Sequence, residues 1–150
     1  MAGIRVGTDI DASPERVWEV VERVEDHVEW MHDAVAIRFT SERTSGVGTA
    51  FDCDTKVGPL RLTDRMEITS WEPGRRMGVR HVGVVTGTGE FTLTPLPSGG
   101  TRFTWEEDLV FPWWMGGPVG AAVGGQVLKL VWRRNLAELR RLVEGGGPEG

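Results

Sequence analysis

Residues 60–71 read Leu-Arg-Leu-Thr-Asp-Arg-Met-Glu-Ile-Thr-Ser-Trp. Leu60, Leu62, Met66 and Ile68 fall on one parity, and Arg61, Thr63, Arg65 and Glu67 on the other. A period of two marks a strand with one buried and one wet face. The same period extends outward in both directions. Strand-like runs occupy residues 35–41, 49–57, 77–82, 84–96 and 101–111. Turn signals separate them: Ser45-Gly46, Gly58-Pro59, Glu72-Pro73-Gly74, Gly83 and Pro97-Ser98-Gly99-Gly100. Six strands joined by tight turns predict an antiparallel meander.

Both flanks add to it. Residues 4–11 alternate between Ile4, Val6, Thr8, Ile10 and Arg5, Gly7, Asp9, Asp11, a seventh strand. Ser13-Pro14-Glu15 then starts a helix, with Ser as N-cap, Pro at the first helical position and Glu near the positive end. Val17, Val20, Val21, Val24 and Val28 continue at helical spacing, so a helix is expected to about His32, with a break near Asp26. At the other end, residues 119–144 predict a helix of roughly 39 Å. Its apolar stripe is read as Val123, Val127, Leu128, Val131, Leu139, Leu142 and Val143, with Arg133, Arg134, Glu138, Arg140 and Arg141 on the wet side. No other element is long enough to cover a whole sheet. The fold class is therefore α+β, a single domain over residues 1–145 with a flexible tail at 146–150.

The chain has 150 residues, a formal charge of −5 and 39% hydrophobic residues, enough for one domain with a real core. The acidic balance argues against a nucleic-acid partner. One cysteine, Cys53, excludes an internal disulfide. The start of the chain lacks a basic-then-apolar leader, so a cytoplasmic location is expected. Seven Trp, five Phe and no Tyr make the aromatic surface almost wholly apolar. Residues 109–128 carry no charge, but two prolines and five glycines interrupt them, so stable membrane insertion is not expected. A loop and soft helix start above a cavity mouth fits better, with Trp113, Trp114 and Met115 as a lid or a patch against an apolar ligand. A plain hydrophobic cluster under a loop is the competing reading.

A strand followed by Ala12-Ser13-Pro14-Glu15-Arg16-Val17-Trp18, then Trp71-Glu72-Pro73-Gly74-Arg75-Arg76, then Gly99-Gly100-Thr101-Arg102-Phe103-Thr104-Trp105 and a final amphipathic helix, resembles the SRPBCC superfamily. The likeness covers nearly the whole chain and is strongest to the polyketide cyclase/dehydrase-like branch, a bacterial kind of sequence. It implies a START-like helix-grip fold, a curved seven-stranded antiparallel sheet wrapped around the long C-terminal helix, with a deep hydrophobic cavity between them. Binding of a small hydrophobic, polyketide-like or aromatic molecule is the function it implies, with cyclisation or dehydration by acid–base chemistry and no cofactor. A non-enzymatic carrier or sensor, or a protein-interaction module using Trp113 and Trp114, stands as the alternative, and a homodimer is allowed for. Aromatase/cyclases of similar fold line their pockets with tyrosine and arginine, and this chain has no tyrosine.

Strand parity names candidate residues. Asp64 shares the phase of Leu62 and Met66, His81 that of Met77 and Val79, and Glu107 that of Phe103, Trp105, Leu109 and Phe111. Three strands thus each place one ionisable group on the face expected to be buried. Such groups have shifted pKa values suited to proton transfer. His81 is expected to be the acid–base group, titrating near neutral pH, with Asp64 or Glu107 orienting it or stabilising its charged form. A bulge would reverse the parity of any of them. Phe51, Cys53, Met66, Phe91, Trp105 and Val127 are expected to line the cavity, joined by Trp30 and Met31 because that region closes one end of the cavity in similar proteins. Gly87 and Gly89 on an inward face either leave room for a ligand or permit close approach of the covering helix or a bend in a strongly curved sheet. His27 and His32 do not share a helix face, and with Asp26, Glu29 and Asp33 they read as a solvated acidic helix end, not a metal site.

Overall fold

The structure is a computed structural model that describes residues 2–146. Seven strands form one antiparallel sheet: β1 (Ala2–Ile10), β2 (Ala34–Phe39), β3 (Ala50–Val57), β4 (Leu60–Glu72), β5 (Arg76–Val82), β6 (Thr86–Pro95) and β7 (Thr101–Val110). Their order is β1-β7-β6-β5-β4-β3-β2. Each meander strand therefore lies beside its sequence neighbour, and β1 closes onto the last one. Between β1 and β2 lie α1 (Pro14–Val21) and a 3-10 segment (Val24–Glu29). After β7 come a 3-10 turn (Trp113–Met115) and α2 (Gly117–Gly146), about 45 Å long at 1.5 Å per residue. This is the helix-grip arrangement of START-like proteins.

Ser13 caps α1 as its residue type requires, its hydroxyl accepting from the Arg16 N–H at 3.2 Å. Val17, Trp18 and Val21 bury the inner face of α1, and Trp18 meets Trp71 edge-on with centroids 5.3 Å apart. The helix stops at Val21, earlier than the valine spacing predicts. Val24 and His27 turn inward on the tighter 3-10 segment, which continues the burial without continuing the α-helical ladder.

α2 begins two residues before the expected start, and its buried stripe differs from the predicted one. Trp132, Asn135, Leu136, Leu139 and Val143 are buried, whereas Val123, Val127, Leu130 and Leu142 are exposed. The C-terminal half of α2 thus grips the sheet, and the N-terminal half stands off it. Of the predicted tail, Gly146 ends α2 and residues 147–150 lie outside the described residues.

Two register shifts interrupt the ladders, between Ala34 and Ala36 in β2 and between Ile68 and Ser70 in β4. The second brings Trp71 opposite Met77 on the inner face. It falls beyond Asp64, Met66 and Ile68, so their shared parity survives.

Candidate functional site

A cavity of about 430 Å³ lies between the inner face of the sheet and the raised half of α2. Met31, Phe51, Cys53, Met66, Phe91, Trp105, Met115 and Val127 line it, as do Asp64, His81 and Glu107. Most of the remaining wall is aliphatic or aromatic, including Ile37, Leu62, Met77, Val79, Val85, Leu109, Phe111 and Leu128.

Three expected lining residues are elsewhere. Trp30 is 1% exposed and packs behind the wall, 5.2 Å from His27, 5.8 Å from Phe91 and 6.0 Å from Trp105 between ring centroids. The 3-10 segment tucks it under the residues that do face the cavity. Trp113 and Trp114 are 84% and 60% exposed, because the short turn after Pro112 points both indoles outward and only Met115 inward.

The ionisable groups meet at one place on this wall. Met66 on β4 pairs with His81 on β5, which puts Asp64 one inward step further along β4. His81 Nδ1 lies 3.0 and 2.9 Å from the two Asp64 carboxylate oxygens. Its Nε2 lies 2.5 Å from Glu107 Oε1, and the Trp105 Nε1–H donates to Glu107 Oε2 at 2.7 Å. The His81 and Glu107 side chains are almost wholly buried, and Asp64 somewhat less so.

His81 and Glu107 belong to strands separated by β6, roughly 9–10 Å apart at ordinary strand spacing. They touch because β6 carries no side chain between them. Gly87 pairs with His81, and Gly89 with Glu107. A Cβ on Gly89 would lie 2.9 Å from Glu107 Cδ, so the missing side chain is the seat of the carboxylate. Gly87 has a different reason. Its φ is +131°, and a Cβ there would come within 1.9 Å of the Asp108 carbonyl oxygen. Neither position leaves room for a ligand or meets the covering helix: the Glu107 side chain fills the space at 89, and the β7 main chain makes the close approach at 87.

Burial alone would push the His81 imidazolium toward its neutral form. The hydrogen bonds and charges of Asp64 and Glu107 outweigh it and raise the pKa to about 10. His81 is therefore a held cation at neutral pH, unlike the near-neutral titrant expected from its residue type. Both of its N–H groups are donated to carboxylates.

His27 shows the opposite balance. Burial dominates, its Nε2–H donates to the Val21 carbonyl at 2.7 Å, and its pKa falls to about 4. It is a neutral core histidine, not part of a solvated helix end. Burial likewise lifts the Cys53 thiol to about 12, with the negative charges of Asp64 and Asp33 acting in the same direction. Among the described residues no group of three or more His, Cys, Asp or Glu is arranged to hold a metal ion.

A second polar cluster lies on the cavity wall. Asp33 accepts from Trp132 Nε1 at 3.2 Å and from Asn135 Nδ2 at 2.7 Å, while Asn135 Oδ1 takes the His32 backbone N–H at 2.9 Å. Trp132 stacks on Trp105 with centroids 4.5 Å apart and planes 15° off parallel. Asp33 and Trp132 are site residues that the sequence reading missed. The signal for them was Asn135, a polar residue four before Leu139 on an otherwise apolar stripe.

The profile of one protein family, polyketide cyclase / dehydrase and lipid transport, matches residues 1–144. The chain belongs to that family. A search of the curated proteins returned no match. Solved structures share its fold at low identity. A Thermus thermophilus protein is 16% identical with a TM-score of 0.80, the alignment covering 97% of this chain and 99% of the other. A START superfamily protein of Mycobacterium smegmatis is 13% identical with a TM-score of 0.77, over 97% and 99% of the two chains. The Zhui aromatase/cyclase of a Streptomyces species is 18% identical with a TM-score of 0.70, over 96% and 92%. Among the described residues no helix is long and apolar enough to cross a membrane.

Proposed function

We propose that this chain binds a small hydrophobic molecule in the cavity between the sheet and α2. The observation that carries the reading is the cavity itself, about 430 Å³ with mostly apolar walls and two small polar clusters. Concave apolar space with a few convergent polar groups is the ordinary form of a small-molecule site. The family description, which joins polyketide cyclase / dehydrase with lipid transport, supports the same reading.

The test is a titration of tryptophan fluorescence and thermal stability with neutral hydrophobic compounds. Trp105 and Trp132 line the cavity, so occupancy changes their emission. Gly124 also lines it, and a Cβ there meets nothing within 4 Å. Gly124→Phe starts a ring from an open position on the wall, and saturable binding is expected to be lost in that variant. Equal binding by Gly124→Phe and the parent chain would place the ligand elsewhere.

Acid–base catalysis on the bound molecule is a second reading, favoured by the His81 cluster at the wall. In it Asp64, the most accessible of the three groups, takes a proton from the acidic carbon of a carbonyl-rich ligand. The resulting carbanion attacks a second carbonyl, the new C–C bond closes a ring, and loss of water follows after the alkoxide is protonated. His81 stabilises the carboxylate pair as a fixed cation, and Glu107 positions it. The Zhui aromatase/cyclase, of the same fold, makes this chemistry the one to assay. Asp64→Asn abolishes turnover of a polyketide-like substrate while leaving its binding within a few-fold; unchanged turnover in that variant overturns the role of Asp64, and binding without any turnover by the parent chain leaves a carrier.

A further inference from the structure

The walls of the cavity are unbalanced in both charge and hydrogen bonding. No Lys or Arg is among the described residues that line it. Asp33, Asp64 and Glu107 present carboxylates, and His81 is the single cation set against them. Glu90 borders the cavity as well, but its side chain turns toward Arg76, 3.9 Å away, on the outer face.

Every ring N–H donor on the wall is already engaged, and only the Thr55 hydroxyl and the Cys53 thiol are loosely held. His81 gives both N–H groups to Asp64 and Glu107. Trp105 gives its N–H to Glu107, Trp132 to Asp33, and His27 to the Val21 carbonyl. The Thr55 hydroxyl is directed at the Cys53 carbonyl and the Cys53 thiol at the Asp54 carbonyl. Acceptors are in surplus. A carboxylate offers about four lone-pair sites, and each of the three uses only part of that capacity.

From this asymmetry we infer that the occupant carries a hydrogen-bond donor at its polar end, a hydroxyl or an amine, and not a carboxylate. The inference rests on the reading of the cavity as a hydrophobic-ligand site and narrows the class of ligand. A hydroxyl or ammonium completes the spare acceptors of Asp64, Glu107 or Asp33. A carboxylate meets like charge in a mostly apolar space and finds no free N–H donor on a side chain, so its charged form is disfavoured there. Free fatty acids and anionic polyketide acids are thereby disfavoured relative to alcohols, phenols and amines of equal apolar length.

The experiment is displacement of a neutral fluorophore, N-phenyl-1-naphthylamine, at pH 8 by decan-1-ol, decylamine and decanoate, each below its micelle concentration. The alcohol and the amine displace the probe, and decanoate does so at least about tenfold more weakly. A probe that fails to bind, with no thermal shift from any of the three, overturns the cavity reading and the inference together. A probe that binds and is displaced by decanoate within about threefold of decan-1-ol overturns the inference alone. In Asp64→Asn the gap between decanoate and decan-1-ol narrows at least about threefold, and an unchanged gap counts against the assignment. Should that variant not fold, the comparison on the parent chain decides.

Discussion

Glu107 on β7 reaches His81 on β5 at 2.5 Å by passing over Gly89 of the strand between them. The contact depends on an absent side chain, which separates the two glycines of β6 by experiment. Gly89→Ala puts a Cβ against the flexible end of Glu107, so the protein folds and the carboxylate shifts away from His81. The His81 pKa falls by about one unit or more, read from its imidazole NMR resonances. Gly87→Ala puts a Cβ into main chain at a positive φ and costs more than about 3 kcal/mol in denaturant unfolding. Equal stability losses for the two variants would contradict this division.

Stability is expected to peak near pH 6.5 and to fall on both sides. His27, held near 4 in the fold, stays neutral while the unfolded chain takes up a proton below about 6.5. Stability therefore drops by ~3 kcal/mol between pH 6.5 and 4. His81, raised to about 10, works in the other direction. Its contribution is complete below about pH 6.5 and is lost progressively as pH rises through 10. Urea midpoints across this range show the dome. His27→Phe flattens the acid limb if the assignment holds, whereas an unchanged limb refutes it.

Removing the cation alone is worse than removing the whole cluster. His81→Ala leaves Asp64 and Glu107 buried without their counter-charge and costs about 3–5 kcal/mol. The triple variant Asp64→Leu, His81→Phe, Glu107→Leu restores much of that loss, since no buried charge remains. Chemical denaturation of both checks the order.

Cys53 should be nearly inert in the native protein. A thiol buried and lifted to about 12 has a thiolate fraction about a thousandfold below that of an ordinary cysteine. Iodoacetamide labelling at pH 8, followed by mass spectrometry, is expected to be slow in buffer and fast in urea. Rapid labelling of the folded chain would mean that the β3 wall opens.

The architecture was legible because the meander alternates cleanly and its turns carry Gly and Pro at the junctions. Parity also brought Asp64, His81 and Glu107 to one face, since the β4 bulge falls after Ile68. What parity could not convey was the pairing of side chains two strands apart, which needs the register of β5, β6 and β7 together. Stabilisation of the His81 cation is one of the roles open to Asp64 or Glu107 from sequence, but that both carboxylates reach the ring at once follows only from this register. The lining role of Trp30 is an expectation from the resemblance alone, and its packing on His27, Phe91 and Trp105 after the 3-10 segment puts the ring behind the wall. The buried stripe of α2 differs from the predicted one because its N-terminal half stands off the sheet and leaves Val123 and Val127 exposed, and because Asn135, polar by type, is buried through its bonds to Asp33 and His32.

The face-to-face indoles of Trp105 and Trp132 have an optical consequence. One ring belongs to the sheet and the other to the helix, so any guest that wedges the two layers apart must first unstack them. The molecule thus carries a built-in gauge of its own gape, readable by absorbance or circular dichroism without a label.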